Sequence, residues 1–435
     1  KYVFPGHSLT EWSLAVAAFA VGGPFGATLA GKISNQKGRR FAVITNMWLF
    51  LVGGLVLMFA TSIYLIIFGR FITGFSSGYA SVIVPIYLGE LAPPTIRGML
   101  GTLTQFSLVI GILASNLLSF PLAGIDGWRY LLGITALLAL LEIFASPFIV
   151  ESPRWLLSGN NDDNINEASL IIKRLRNFQS EEEVQKEINH IQQASLTQRI
   201  KGQTSAHGSG AVKDLLFDKR VRILVISFAI LHASQQLSGI NAVFYYSTSF
   251  FEGIVSDPLL GTALVGGVNV IATYIALLLM DRTGRVSLML WSSGGMLVSC
   301  GIITLALFEL VPNTMALVGV MLFVTFFELG LGPIPWLIVA EMFDAKYVAT
   351  AMAVACQINW LFNFVVGVSF PTMASVLGIW VFAPFAFVLL CTFLFCFYFL
   401  PETAGRSHSE IEKIINTKND MSDLTFIIEA EPLNN

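Results

Sequence analysis

Charged residues are scarce in this sequence. Asp, Glu, Lys and Arg make up 12% of its 435 residues, whereas about a quarter of the residues in soluble globular proteins are charged. Hydrophobic residues account for 55%, and the mean hydropathy is +0.72. These values exclude an ordinary soluble domain and indicate a membrane protein. The net charge of −3 is uninformative, because in a membrane protein the distribution of charge matters more than its total.

Residues that support metal, nucleotide or disulfide chemistry are few. The four cysteines all lie within apolar runs, so a disulfide framework is not expected. The five histidines show no metal-ligand spacing, and no glycine-rich phosphate loop stands between a strand and a helix. The absence of that loop argues against an ATP-driven pump. We therefore predict a protein that is not an enzyme and has no cofactor, no metal and no nucleic-acid partner.

Long apolar runs are abundant. A run of about 20 apolar residues can cross a bilayer as a helix, so these runs predict an all-α membrane protein embedded in a lipid bilayer. We expect no cleavable signal peptide before the first of them. The eleven runs begin near residues 10, 42, 63, 98, 130, 221, 258, 286, 313, 346 and 378.

Basic residues are distributed unevenly between the loops. Of the 25 Lys and Arg residues, only Lys1 and Arg129 lie on one set of alternating loops, and Arg70 lies within an apolar run. The positive-inside rule places the other, basic set of loops in the cytosol. The central loop and the C-terminus are then cytoplasmic, and the first residues lie outside. Because a short outside N-terminus is unusual, we expect that an initial span is missing from this chain.

Charged landmarks recur in the second part of the chain, 246 to 251 residues after their first occurrence. They are Gly38-Arg39 with Gly284-Arg285, Glu90 with Glu341, and Glu151 with Glu402. This spacing predicts two homologous halves of six spans each, provided that one span is restored. Parallel halves around a midplane site are the architecture of the major facilitator superfamily. The predicted divisions are an N-terminal bundle (1–150), a cytoplasmic linker (151–220), a C-terminal bundle (221–400) and a cytoplasmic tail (401–435).

The linker has its own pattern. Apolar residues recur at helical spacing among charges over residues 164–176 and 181–193, which predicts two short amphipathic helices. Residues 202–210 are rich in Gly, Ser and Thr and predict a flexible connection.

Neutral amides interrupt one apolar run, at Gln235, Gln236 and Asn241. Such groups are costly in hydrocarbon unless they face a partner or a water-filled cavity. Ser238-Gly239 between them can break the helix, which is tolerated at membrane depth only beside protein or water. Amides and nearby tyrosines suit a neutral, polyhydroxylated ligand such as a sugar. Contact between packed helices explains the amides equally well.

Several longer motifs resemble those of sugar porters of the major facilitator superfamily, most closely the facilitative glucose transporters. The resemblance covers essentially the whole chain. It implies two six-helix bundles, with eleven spans visible here and the first span of the family absent. Besides the segment around Gln235, the motifs lie at residues 69–71, 85–90, 97–98, 151–154, 326–336, 359–364 and 401–406.

The resemblance also implies roles for individual residues. The implied sugar contacts are Gln105, Gln235, Gln236, Asn241, Asn269, Glu328, Trp336, Asn359 and Trp360. Ion pairs of the family act as a latch at the cytoplasmic ends of the two bundles. Val286 replaces the second arginine usual in its loop, so a weaker latch is expected in the second half. The implied latch residues are Arg39, Arg40, Glu90, Arg97, Glu151, Arg154, Arg282, Arg285, Glu341, Glu402 and Arg406.

The function implied is facilitated diffusion of a hexose, D-glucose being favoured, by alternating access across the plasma membrane. The partners expected are the sugar and the lipid bilayer, and the sequence does not identify a protein partner. A proton-coupled sugar or polyol symporter is the first alternative, with Glu142 as a titratable candidate, and a non-transporting sugar sensor is the second. His232-Ala233-Ser234 depart from the pattern of strictly glucose-preferring members, which leaves fructose transport open.

Overall fold

The computed structural model describes residues 6–93, 97–122, 124, 127–158, 162–178, 180–202, 213, 215–217, 221–252, 254–280, 282–343, 347–404, 406 and 410–411. Their regular secondary structure is helical throughout. The first half contains α1 (Leu9–Lys37), α2 (Arg39–Met58), α3 (Ile63–Leu91), α4 (Arg97–Leu122) and α5 (Gly127–Ala145). The linker contains α6 (Pro153–Leu156), α7 (Asp162–Arg176) and α8 (Glu181–Gly202). The second half contains α9 (Arg222–Leu237), α10 (Ile240–Phe251), α11 (Pro258–Met280), α12 (Arg285–Leu307), α13 (Thr314–Leu329), α14 (Ile334–Met342), α15 (Val348–Leu377) and α16 (Ala383–Tyr398).

Within the described ranges, ten helical segments are long and apolar enough to cross a membrane. Two of them are pairs of broken helices, Arg222–Thr248 and Thr314–Met342. The eleventh predicted span differs from the prediction. Residues Gly378–Trp380 form a 3₁₀ turn, and the helix that follows has only 16 residues. At 1.5 Å per residue such a helix is about 24 Å long, which is shorter than a hydrocarbon core of about 30 Å.

The first broken span bends between α9 and α10, where the sequence predicted a break. Gly239 adopts φ +94, a left-handed conformation that disfavours residues with a side chain. A Cβ atom there would also lie 2.6 Å from the ring of Phe385. The hydroxyl of Ser238 donates to the carbonyl of Gln235 at 2.7 Å and satisfies one backbone group at the break.

The second broken span bends between α13 and α14, at residues 330–333. The sequence Gly-Leu-Gly-Pro occupies this break, and Pro333 has no backbone N–H to continue the helical pattern. The backbone N–H of Leu331 donates instead to the hydroxyl of Ser292 on α12, at 2.9 Å. The backbone carbonyls of Leu331 and Gly332 accept from a side chain on α9 instead.

The two halves meet along two helix pairs, α1 with α15 and α4 with α11. On the first pair, the side-chain amide of Gln357 donates to the carbonyl of Pro24 at 3.3 Å and to the hydroxyl of Thr28 at 3.1 Å. On the second pair, the amide of Asn116 donates to the carbonyl of Thr262 at 3.4 Å. Both halves therefore contact one another directly within the apolar part of the molecule.

The linker forms a small helical unit beside the first half. Both helices predicted from residues 164–176 and 181–193 are confirmed as α7 and α8, and α8 continues to Gly202. Apart from residue 202, the predicted flexible connection at 202–210 lies outside the described residues. Arg176 at the end of α7 donates to the carbonyl of Leu91 at 2.7 Å and so attaches the linker to the end of α3.

Candidate functional site

Four amide side chains from three helices meet in one hydrogen-bonded group, which we call the amide cluster: Gln235, Gln236, Asn241 and Asn359. Gln235 and Gln236 lie in the last turn of α9, Asn241 lies in the first turn of α10, and Asn359 lies on α15. The amide of Gln236 donates to the side-chain oxygen of Asn359 at 2.9 Å. Asn241 donates to the oxygen of Gln236, and Asn359 donates to the oxygen of Gln235. The structure thus brings together four of the predicted sugar-contacting residues.

The amide cluster is anchored to the second helix break. The side-chain nitrogen of Gln235 donates to the carbonyls of Leu331 and Gly332, at 2.9 and 2.5 Å. Unpaired backbone carbonyls are costly at membrane depth, so this pair of bonds stabilises the break as well as the cluster.

Burial explains why these amides bond to one another. Gln235, Gln236 and Asn359 are 4%, 7% and 7% exposed, respectively, and Asn241 is half-buried. A buried amide without a partner costs about 1–3 kcal/mol, and a hydrogen bond removes most of that cost. The cluster is therefore satisfied internally, and Asn241 is its most accessible member.

An aromatic pair lies against the cluster. The fully buried ring of His232 packs edge-on to the indole of Trp336, with 4.6 Å between the ring centroids. Its Nδ1 lies 3.4 Å from the side-chain nitrogen of Asn359. His232 was not among the predicted site residues. The available signal was its position one turn before Gln235 and Gln236, because residues three and four apart share a helix face.

Two tyrosines of α10 make further hydrogen bonds to α15. The hydroxyl of Tyr245 donates to the side-chain oxygen of Asn363 at 2.9 Å, and that of Tyr246 donates to the carbonyl of Gly367 at 2.8 Å. These tyrosines were not among the predicted site residues either. Asn363 follows Asn359 by four residues and so lies on the same face of α15.

Asn269 and Glu328 lie between α11 and α13. Both are buried, and the Glu328 carboxyl group contacts the hydroxyl of Thr273. That hydroxyl donates to the backbone carbonyl of Asn269 at 2.8 Å. The side-chain oxygen of Asn269 has no hydrogen-bond partner among the described residues. None of the described hydrogen bonds joins Asn269 or Glu328 to the amide cluster.

The other two predicted contacts face the first half or belong to it. Trp360 packs against Phe19 of α1, with 5.9 Å between the ring centroids. A Cβ atom on Gly23 would lie 2.4 Å from the indole ring of Trp360, so only glycine leaves room for it. Gln105 is exposed on α4, and no described hydrogen bond connects it to the amide cluster.

Arg39 and Arg40 lie where α1 and α3 end and α2 begins, and Arg282 and Arg285 lie at the equivalent place in the second half; we call this the basic end. In the first half, the guanidinium group of Arg39 forms two 2.8 Å bonds to the carboxylate of Glu90. The Glu151 carboxylate accepts from the backbone N–H groups of Arg39 and Arg40, at 2.8 and 3.1 Å. The hydroxyl of Ser152 donates to Glu90 at 2.6 Å.

The second half repeats this arrangement. Arg285 donates to the carboxylate of Glu341 at 2.7 Å. Glu402 accepts from the backbone N–H groups of Arg285 and Val286, at 2.8 and 3.2 Å, and Thr403 donates to Glu341. The backbone N–H of Val286 makes the bond that the backbone N–H of Arg40 makes in the first half, so this contact does not depend on the missing arginine side chain. The weaker latch stays a prediction.

The remaining latch residues differ in their exposure. The side chains of Arg40, Arg282 and Arg406 are exposed, and that of Arg154 is half-buried. The side chain of Arg97 lies outside the described part of the chain. The described ion pairs at the basic end, Arg39–Glu90 and Arg285–Glu341, each join helices of one half. They therefore brace each bundle separately and do not bridge the two.

A family model described as "Sugar (and other) transporter" matches residues 5–415. This chain belongs to the sugar transporter family. The human facilitated glucose transporter member 4 of solute carrier family 2 is 40% identical over 418 residues, which are 94% of this chain and 80% of that protein. Member 2 from Rattus norvegicus is 39% identical over 410 residues, which are 92% of this chain and 76% of that protein.

Solved structures of other sugar transporters share the fold. The inward-open form of the xylose transporter XylE from E. coli aligns with a TM-score of 0.80 at 26% identity, over 95% of this chain and 92% of that one. The proton:xylose symporter XylE bound to 6-bromo-6-deoxy-D-glucose aligns with a TM-score of 0.73 at 27% identity, over 93% and 89%. The predicted all-α major facilitator fold and the predicted family are confirmed.

Proposed function

We propose that this protein is a facilitative hexose transporter that carries D-glucose. The observation that carries the proposal is the amide cluster, in which four neutral amides from three helices, three of them buried, meet beside two helix breaks. Membership of the sugar transporter family and about 40% identity to facilitated glucose transporters support it. An amide can both donate and accept, so it can exchange a bond to another amide for a bond to a sugar hydroxyl.

This exchange explains why binding is expected to be weak. The amides already satisfy one another, so a bound sugar replaces existing bonds and gains only the difference. A carrier also has to release its cargo, and a dissociation constant of about 1 mM corresponds to about −4 kcal/mol. The indole rings of Trp336 and Trp360 supply flat apolar faces for the sugar ring.

The mechanism proposed is alternating access, in which the two halves rock about a site between them. The amide cluster belongs to the second half, Gln105 belongs to the first, and Trp360 lies where α15 meets α1. No covalent chemistry is involved. By the positive-inside rule, we place the basic end in the cytosol. The similarity to facilitated glucose transporters supports the plasma membrane as its location.

The test uses the full chain reconstituted in proteoliposomes without an imposed gradient. Saturable uptake of D-glucose, with none of L-glucose, is the expected result. The L enantiomer has the same size and polarity, so it controls for leakage. Equal rates for the two enantiomers would contradict the proposal.

A proton-coupled symporter is the second candidate, favoured by the likeness to a structure described as a proton:xylose symporter. Glu142 on α5 is the carboxylate considered for it. Coupling to one proton at 100 mV supplies about 2.3 kcal/mol, enough for about fifty-fold accumulation. We expect that an imposed proton gradient leaves a non-metabolised glucose analogue at equal concentrations on both sides. Accumulation that a protonophore abolishes would establish the symporter instead.

A further inference from the structure

The hydrogen bonds of the amide cluster form one chain in which Asn241 donates to Gln236, Gln236 to Asn359, and Asn359 to Gln235. The second helix break sets this order of donors and acceptors, because the chain ends at its carbonyls. The backbone carbonyls of Leu331 and Gly332 can only accept, so the side chain of Gln235 must turn its NH₂ group toward them. Its oxygen then points away from the break and accepts from Asn359. The amide orientation of Gln235 therefore follows from donor and acceptor chemistry.

The same reasoning fixes the orientation of the Asn359 side-chain amide. Its oxygen accepts from Gln236, so its NH₂ group lies on the opposite side and has two hydrogens to place. One hydrogen goes to the oxygen of Gln235. The other faces Nδ1 of His232 at 3.4 Å. Nδ1 must then be the acceptor, which requires a neutral imidazole with its hydrogen on Nε2.

His232 touches two site residues without reaching open space. It is 0% exposed, whereas Asn359 is 7% exposed and Trp336 is half-buried. One edge of its ring lies against the indole of Trp336, and one nitrogen lies beside the amide of Asn359. Any effect of His232 on a substrate must therefore act through the residues packed around it, among them Asn359 and Trp336.

We propose that His232 is a positioning residue of the sugar site, and that its Nδ1 acceptor holds the side-chain amide of Asn359 in the orientation that binds the hexose. The proposal rests on the proposed function. In this proposal His232 orients the side-chain amide of Asn359, as the backbone carbonyls at the second helix break orient the side-chain amide of Gln235. Without the acceptor, one N–H of Asn359 has no partner in a buried place, and only the bonds to Gln235 and from Gln236 still hold the amide.

The experiment compares two replacements of His232 in the full chain. His232→Gln keeps an oxygen that can accept from Asn359, whereas His232→Phe keeps a ring against Trp336 but has no acceptor. His232→Met, a flexible side chain without a strong acceptor, serves if the Phe variant is not recovered. The measurement is equilibrium exchange of D-glucose in proteoliposomes that contain equal amounts of folded protein, which gives KM and the maximal rate separately.

We expect His232→Phe to raise KM about tenfold, as for a buried donor left without its partner. The maximal rate should stay within about threefold, and His232→Gln should keep KM within about threefold of the parent. In an Asn359→Ala background, His232→Phe should have no further effect on KM, because the amide that it positions is gone.

Two results would overturn the proposal. One is an equal rise in KM for the Gln and Phe variants, which would mean that only the shape of the ring matters. The other is a full effect of His232→Phe in the Asn359→Ala background. Failure of the proposed function looks different, because the parent protein itself would then show no saturable D-glucose exchange.

Discussion

Gln235 makes three hydrogen bonds in the site through its side chain, the same number as Asn359. It donates to two backbone carbonyls and accepts from Asn359. We expect Gln235→Leu to lower hexose uptake at least about a hundredfold, because a site built on hydrogen bonds penalises a missing partner by orders of magnitude. Uptake by cells with matched amounts of surface protein is the measurement.

Gln185→Leu is the matched control for this prediction. Gln185 lies exposed on α8 and its described bond, at 3.2 Å, is to Asn189 one turn away. The same substitution there should leave uptake within about twofold, since exposed positions contribute little. Parent-like uptake by Gln235→Leu would remove Gln235 from the site.

Individual residues of the site were predictable to different degrees. Gln235, Gln236 and Asn241 disrupt one apolar run, so the sequence shows them directly. His232 and Tyr245 were not among the predicted sugar contacts, because an imidazole or a phenol in an apolar run is common and their hydrogen-bond partners, Asn359 and Asn363, lie on another helix. The sequence pattern of one helix does not specify which residues of another helix it meets.

At the scale of helices, α2 and α12 begin in the same way, with a glycine beside a carboxylate. A Cβ atom on Gly38 would lie 2.3 Å from a carboxylate oxygen of Glu151, and one on Gly284 would lie 2.3 Å from Glu402. These carboxylates cap the N-termini of the two helices from a distant part of the chain. The favourable interaction of an anion with a helix N-terminus is worth about 0.3–1 kcal/mol.

Alanine at either glycine should therefore displace the capping carboxylate and destabilise the protein. Gly38→Ala should cost about 1–3 kcal/mol more than Gly284→Ala, because Gly38 has φ +95 whereas Gly284 has φ −63. Thermal unfolding of the detergent-solubilised protein measures the difference. Gly31→Ala is the control, since a Cβ atom there has nothing within 4 Å. Equal midpoints for all three variants would contradict this account.

Most helices begin close to where the apolar runs predicted them, and the last span is the exception. The segment Gly-Ile-Trp-Val-Phe-Ala-Pro at 378–384 is apolar, so it continues the hydropathy pattern without interruption. Gly378 nevertheless adopts φ +54, and Pro384 lies in the first turn of α16. Hydropathy measures transfer to lipid and does not register a backbone break made of apolar residues.

For the molecule as a whole, the charges of the basic end repeat with the two halves. Because each ion pair braces only one half, Glu90→Gln and Glu341→Gln should have similar effects. We expect the maximal exchange rate to fall about tenfold while the affinity for sugar changes by less than about threefold. The charged residues lie at the ends of their helices, away from the amide cluster. They therefore act through the balance between the conformations of alternating access.

Exchange kinetics and equilibrium sugar binding in the same preparation test this expectation. Lys186→Met is the control, since Lys186 forms an exposed pair with Glu182 on α8, and such pairs contribute about 0–1 kcal/mol. A tenfold loss of affinity with an unchanged rate would show that the carboxylates act on the sugar site itself.

The repeat of the whole molecule was predictable because charged residues in an apolar chain are conspicuous. The sequence could not show that Glu151 and Glu402 accept from backbone N–H groups, so it could not show that Val286 keeps this contact. It also could not show that each pair stays within one half. Both points depend on how helices cross, and crossing depends on side-chain shapes that no motif records.

Asn359 and Trp360 are neighbours in the chain, yet they face different parts of the molecule. Asn359 bonds to the amides of the second half, and Trp360 presses on Phe19 and Gly23 of the first half. A displacement of the Asn359 side chain is thus transmitted to the opposite half through a single peptide unit. The proposed sugar site and the contact with the opposite half therefore share one segment of α15 and have to move together.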